Sequence, residues 1–171
     1  MPTRLTPPEA LIYAMITTSA VDRTISDDEL ARIGSIVEQM PPFHGFDQDW
    51  LVNEAQECGK LLGKPDGLTK VLDVIHDSLP ESLHETAYVF AAEVAATDLR
   101  VRVEEIRFLE LLAERLKIDK LTCAAFERAA KARHQKVPRE VLIGDPPLRI
   151  TERGRIASGD VRATCFDVAG V

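Results

Sequence analysis

Carboxylates recur in this sequence at a spacing that suits a hard cation. Asp22 is followed by a β-branched aliphatic residue at the third position and by Glu29 at the seventh, and Asp98 and Glu105 repeat this spacing 76 positions later. Carboxylate oxygens are ligands that Ca²⁺ and Mg²⁺ prefer. The spacing also matches the second half of an EF-hand loop, where an Asp and a bidentate Glu bind Ca²⁺. The sequence therefore points to cation binding at two junctions between helices.

The first half of an EF-hand loop is missing at both junctions. Arg23 and Leu99 occupy the position at which such a loop requires glycine. The two earlier ligand positions are Thr18 and Ala20 in the first copy, and both are apolar in the second. Neither junction is a complete Ca²⁺ loop, so each is at most half of a site.

A cation would need ligands from both junctions or from water, because two carboxylates do not fill the shell of a divalent ion. Ca²⁺, Mg²⁺, Mn²⁺ and Zn²⁺ are all candidates. The predicted metal ligands are Asp22, Asp28, Glu29, Asp98, Glu104 and Glu105.

A purely structural interpretation of the first junction stays open. The segment from Ser26 to Glu29 is a typical capped helix start, where acids interact favourably with the helix dipole by about 0.3–1 kcal/mol each. Asp22 could bond the backbone of its own turn. However, Asp22 and Asp98 follow apolar helical segments, and the dipole disfavours an acid at a helix C-terminus. Their repetition favours a functional role.

The elements that position these junctions are predicted to be helices. Capping boxes at 6–9, 26–29 and 82–85 predict helix starts, and prolines and glycines mark helix ends. We expect an all-α fold, a bundle of about seven helices in two pseudo-symmetric repeats. The predicted segments are a helical domain over 5–134, repeats over about 7–62 and 83–134, a linking helix over 66–79 and an extended or disordered tail over 135–171.

Apolar periodicity predicts which side chains face the core. The third helix is predicted to begin at Asp47 and the fifth at the capping box of Ser82 and Glu85. In the last two helices the residues predicted to point inward are Ile106, Leu109, Leu112, Leu116, Leu121, Phe126 and Ala130.

The duplicated Asp-x-x-Ile-Ser-x-x-Glu-Leu pattern, in a helical chain of this size, resembles the TerB-like (tellurite resistance B) family over about residues 7–134. The resemblance implies a seven-helix pseudo-symmetric domain, divalent-cation binding and a role in tellurite or general stress resistance. By position, the acids of the family fall on Asp22, Glu29, Asp98 and Glu105. The chain departs from the family pattern at both junction glycines and at Arg102, which replaces the serine cap of the second junction.

Charge and composition limit the functions that remain possible for this chain. Residues 1–99 carry 6 Lys/Arg against 17 Asp/Glu, whereas residues 100–171 carry 15 against 11. The acidic half argues against nucleic acid as a partner, because phosphate contacts dominate that affinity. An alternative to metal binding is an interaction module that uses its acidic face to dock a protein partner or a second copy.

We expect a cytoplasmic protein that does not span a membrane and is not an enzyme. The sequence has no apolar run of about 18 residues and no secretory signal pattern at its start. Its three cysteines are widely spaced, which suits free thiols in a reducing compartment. The four histidines have no ligand spacing, and no nucleophile or phosphate-loop motif is present.

Overall fold

The computed structural model of the chain describes residues 4–20, 25–97 and 101–138. These residues form seven α-helices and three 3₁₀ turns, with no strand among them. The helices are α1 Pro7–Ala20, α2 Asp27–Gln39, α3 Leu51–Leu62, α4 Gly67–Ser78, α5 His84–Ala96, α6 Val103–Leu116 and α7 Lys120–Arg133. The predicted all-α class and the number of helices are confirmed.

The chain divides into two units, Met1–Gln135 and Lys136–Val171, and all seven helices belong to the first. The predicted extended or disordered tail lies, beyond residue 138, outside the described residues. No helix in the described part of the chain is long and apolar enough to cross a membrane.

The helices α1 and α5 form the centre of the first unit. Every residue from Ala10 to Ser19 in α1 is buried, and α5 is buried over most of its length. The two helices pack against each other. A helix that is apolar on all sides is stable only when neighbours surround it, and the other five helices supply those neighbours.

The outer helices pack around this pair in a crossed pattern. The helices α2, α3 and α4 contact α1, while α6 and α7 contact α5. In addition α2 contacts α5 and α6 contacts α1. The two junctions, α1 to α2 and α5 to α6, therefore connect a central helix to an outer one.

Two predicted helix starts were wrong. The fifth helix has no capping box at Ser82, because the N–H of Leu83 donates to the carbonyl of Pro80 (2.9 Å) and closes a 3₁₀ turn. This turn moves the start of α5 to His84, where no side chain caps the helix. The third helix begins at Leu51 rather than Asp47, since a 3₁₀ turn precedes it.

Two residues that were predicted to face the core are exposed instead. Ile106 is 47% exposed and Leu121 is 81% exposed. Phe108, which the prediction omitted, is fully buried and lies on the same face of α6 as Leu112. The face of α6 that meets the core is thus rotated from the predicted one. The remaining residues predicted to be inward are buried or partly buried: Leu109, Leu112, Leu116, Phe126 and Ala130.

Candidate functional site

At the first junction a complete capping box holds Glu29 at the start of α2. The N–H and the Oγ–H of Ser26 both donate to Oε2 of Glu29, at 2.8 and 2.7 Å. In return, the N–H of Glu29 donates to Oγ of Ser26 at 3.3 Å. Glu29 is buried, with 8% of its surface exposed. The predicted capping box at Ser26 is confirmed, and its glutamate is buried.

The second junction keeps the carboxylate half of this arrangement. The N–H of Arg102 donates to Oε2 of Glu105 at 2.9 Å, and Glu105 is buried at the start of α6. A guanidinium group carries donors only, so Arg102 cannot accept the N–H of Glu105 as Ser26 accepts that of Glu29. The two junctions therefore share a buried glutamate and differ in its partner side chain.

The other predicted ligands divide into two groups. Asp28 and Glu104, each next to a buried glutamate, are exposed. Asp22 and Asp98 lie outside the described residues. Within the residues that the structure does describe, no group of three or more His, Cys, Asp or Glu side chains is arranged to hold a metal ion. The structure thus places Glu29 and Glu105 in equivalent buried positions and brings no set of described ligands together.

A hydrogen bond joins the two junction regions. Nη1 of Arg32, one turn after Glu29 in α2, donates to Oγ1 of Thr97 at 3.0 Å. Thr97 lies at the end of α5, immediately before Asp98, and its own hydroxyl donates to the carbonyl of Val94. The helix α2, which begins at the first junction, is therefore hydrogen-bonded to Thr97, the residue immediately before Asp98 of the second junction.

Two apolar cavities lie beside the junctions. One, between α1, α2 and α3, has a volume of about 660 Å³, and the other, between α5, α6 and α7, about 240 Å³. Five lining positions of the first cavity have counterparts 76 residues later in the second. Four pairs are aliphatic in both cavities: Ile16, Ala20, Ile25 and Leu30 in the first and Ala92, Ala96, Val101 and Ile106 in the second. The fifth pairs Ala55 with Lys131.

Sequence reasoning missed these cavities because it searched the junctions for carboxylates. The signal was present in the motif: the aliphatic residue at the third position after the Asp, Ile25 or Val101, lines a cavity in each copy. Each cavity therefore uses the apolar part of the motif, while the capping box uses its glutamate.

Two buried glutamates outside the junctions have opposite surroundings. Burial raises the pKa of Glu54, and the nearby acids Glu9 and Glu57 raise it further, against a hydrogen bond from Asn53. Glu93, also buried, forms an ion pair with Arg133 at the end of α7 (2.7 Å) and a hydrogen bond with Nε2 of His134, the next residue (2.6 Å). Neither glutamate lies among the predicted ligands.

Burial disfavours the thiolate form of both described cysteines. Cys58 is fully buried, and burial raises the pKa of its thiol to about 12, so that the thiol stays protonated at neutral pH. Burial also raises the pKa of Cys123. Because the thiolate is the nucleophilic form, burial acts against a nucleophilic role for either side chain.

Comparison of the chain with protein-family models, with curated proteins and with solved structures finds no match. The assignment of a function therefore depends on the residues and the geometry described above.

Proposed function

We propose that this chain is a non-enzymatic, TerB-like cytoplasmic protein that binds a divalent cation through its acidic helix junctions and serves tellurite or general stress resistance. The observation that carries the proposal is the buried glutamate in the first turn of both α2 and α6. The repeated motif places an aspartate seven residues before each one. The candidate ions are Ca²⁺, Mg²⁺, Mn²⁺ and Zn²⁺.

The first junction is the stronger of the two candidates. Its capping residue, Ser26, is neutral, whereas the second junction has Arg102 at this position and Arg100 two residues earlier. A cationic side chain beside a carboxylate supplies the positive charge that a metal ion would otherwise provide, and it repels a second cation. We therefore assign the cation to Asp22 and Glu29, with Asp28 at its edge and the second junction contributing through Asp98.

The helix dipole makes both carboxylates of this site necessary. The start of α2 carries a partial positive charge, which opposes a cation by the same effect that favours an acid there. Binding therefore requires Asp22 and Glu29 together in their charged forms. Loss of either charge should weaken the binding strongly.

Isothermal titration calorimetry with each of the four cations tests the proposal. The informative variants are Asp22→Asn and Glu29→Gln, because glutamine also completes a capping box and α2 should keep its cap. We expect heat of binding with the unmodified chain and affinity at least about tenfold lower in each variant, which is about 1.4 kcal/mol. The matched control is Asp27→Asn, an exposed acid in the same helical turn.

Absence of heat with all four ions, or equal affinity in Glu29→Gln and Asp27→Asn, would refute cation binding at this junction. A second measurement is thermal unfolding, since an ion that binds only the folded state raises its midpoint. That rise should disappear in the same two variants.

The alternative function is a metal-free interaction module that docks through acidic side chains. The exposure of Asp28 and Glu104 favours it, because these carboxylates are accessible to a basic partner. The basic surplus of residues 100–171 could meet the acidic half of a second copy. Sedimentation velocity tests this function. Self-association that weakens with added salt, and in the double variant Asp27→Asn/Asp28→Asn, would support it. A chain that stays monomeric at every salt concentration would exclude self-association.

A further inference from the structure

The cavity between α1, α2 and α3 has the size and the lining of a small-molecule site. Its volume of about 660 Å³ lies within the range of about 300–1,000 Å³ that is usual for such sites. Most of its lining is aliphatic, and Val52, which belongs to that lining, is 52% exposed. An open apolar surface of this kind gains free energy when a ligand covers it.

Gly59 shows that the wall formed by α3 is open. It is an exposed residue in the interior of α3 and lines the cavity. A Cβ atom added to Gly59 would meet no atom of the described residues within 4 Å. Glycine is unfavourable in a helix interior relative to alanine, and packing within the described part of the chain does not require it here. Its effect is to leave the α3 backbone accessible to an occupant of the cavity.

The charge at the cavity suits an anionic group. Lys60 is the one charged side chain among the described residues that line it, and Gln56 adds a neutral amide. Nζ of Lys60 also pairs with Oε1 of Glu57 at 2.7 Å, with both side chains at least half exposed. Exposed pairs of this kind are weak, so the ammonium group can turn toward a ligand.

The second cavity provides an internal contrast. It shares the four repeated aliphatic positions, but its volume is only about 240 Å³. Its charged lining residues are Glu110, Glu127 and Lys131, which together carry a net negative charge. A ligand with an apolar chain and a carboxylate would fit the first cavity and be repelled by the second.

We propose that the cavity between α1, α2 and α3 binds a free medium-chain fatty-acid carboxylate. The acyl chain lies along α3 at Gly59 and against the aliphatic residues of α1 and α2, and the carboxylate accepts hydrogen bonds from Lys60 and Gln56. This binding uses no metal ion and no junction carboxylate, so it is independent of the function proposed above.

Titration of the full chain with dodecanoate below its micelle concentration, in the presence of EDTA, tests the proposal. Trp50, the sole tryptophan, lies two residues before Val52 and serves as a fluorescent reporter, with calorimetry as the second readout. We expect binding that weakens at least about tenfold in Gly59→Leu, whose side chain fills the cavity, and several-fold in Lys60→Gln. Lys64→Gln, an exposed lysine near the same end of α3 that does not line the cavity, should bind as the unmodified chain does.

A second variant keeps the test decisive if Gly59→Leu unfolds. Gln56→Glu changes one exposed side chain and places a negative charge beside the carboxylate, so dodecanoate binding should again fall. Equal affinity in Gln56→Glu and the unmodified chain, or in Lys60→Gln and Lys64→Gln, would overturn the proposal. The proposal would also be overturned if dodecanoate did not bind and the chain self-associated in a way that Gly59→Leu abolishes. The occupant of the cavity would then be a second copy of the chain.

Discussion

The segments α1–α3 and α5–α7 use the same positions for different interactions. Thr17 in α1 and Glu93 in α5 lie 76 residues apart, and both are buried. Oγ1 of Thr17 donates to the carbonyl of Tyr13 at 2.7 Å and lies 3.5 Å from Sγ of Cys58 in α3. Glu93 instead forms an ion pair with Arg133 at the end of α7 and a hydrogen bond with His134, the residue that follows. The central helix therefore meets its third helix through neutral groups in one segment and through charges in the other.

The comparison shows which structural features the repeated motif determines and which features differ between the two segments. Both segments keep the buried glutamate at the helix start and the aliphatic residues beside it. They differ in the capping side chain, in the buried polar group of the central helix and in the size of the cavity. Local backbone geometry thus accounts for the shared residues, whereas packing against the third helix accounts for the different ones.

The largest expected difference between the segments lies at positions 32 and 108. Arg32 is exposed on α2, and Phe108, 76 residues later, is fully buried on α6. Phe108→Ala should lower the free energy of unfolding by about 3–5 kcal/mol, because it removes a large buried side chain and leaves a cavity. Arg32→Ala should cost about 1 kcal/mol or less, through loss of the exposed bond to Thr97. Urea unfolding followed by circular dichroism measures both.

Equal costs at these two positions would contradict the burial of Phe108. The control is Leu111→Ala, a partly buried position on α6, for which an intermediate loss is expected.

An effect of about 1 kcal/mol is expected at the two helix caps. Ser26→Ala removes the acceptor for the N–H of Glu29 and should destabilise the fold by about 0.5–2 kcal/mol. Arg102→Ser gives the second junction the same hydroxyl acceptor that Ser26 supplies at the first and should stabilise it by about 0.5 kcal/mol. Thermal and urea unfolding of both variants check the signs. Stabilisation by Ser26→Ala would show that the capping box does not hold α2.

Much of the fold could be predicted because its signals are local. Proline, capping residues and apolar periodicity gave all seven helices, and the Ser26 box is present with its reciprocal bonds. The predictions were wrong where tertiary contacts determine the start of a helix or the face that it buries. A 3₁₀ turn after Pro80 displaced the start of α5, and the face of α6 that packs inward contains Phe108 rather than Ile106.

The candidate site was predictable only in part. The motif identified Glu29 and Glu105, and both lie at equivalent buried helix starts. The cavities were not predictable from one helix at a time, because α1, α2 and α3 each contribute part of the lining of the first. Nothing in the sequence around Gly59 indicates that a side chain added at this position would meet open space.

The smallest expected effect concerns the two buried glutamates outside the junctions, and it depends on pH. Burial and the neighbouring acids raise the pKa of Glu54 in the folded state above its value in the unfolded chain. Its favourable contribution is therefore fully present below the unfolded pKa and is lost as the pH rises through the folded pKa. Glu54→Gln should thus stabilise the protein at neutral pH, and this gain should shrink as the pH falls through the raised pKa of Glu54 and be absent below the usual pKa of glutamate.

Glu93→Gln should behave in the opposite way. It removes the charge that pairs with the largely exposed guanidinium of Arg133, so it should destabilise the fold at neutral pH by about 0.5–1 kcal/mol. Urea unfolding of both variants between pH 4 and pH 8 compares them directly. If Glu54→Gln destabilised the fold at neutral pH as Glu93→Gln does, Glu54 would have a cationic partner in solution. The contrast between a buried acid with acidic neighbours, Glu54, and a buried acid beside an arginine, Glu93, would then fail.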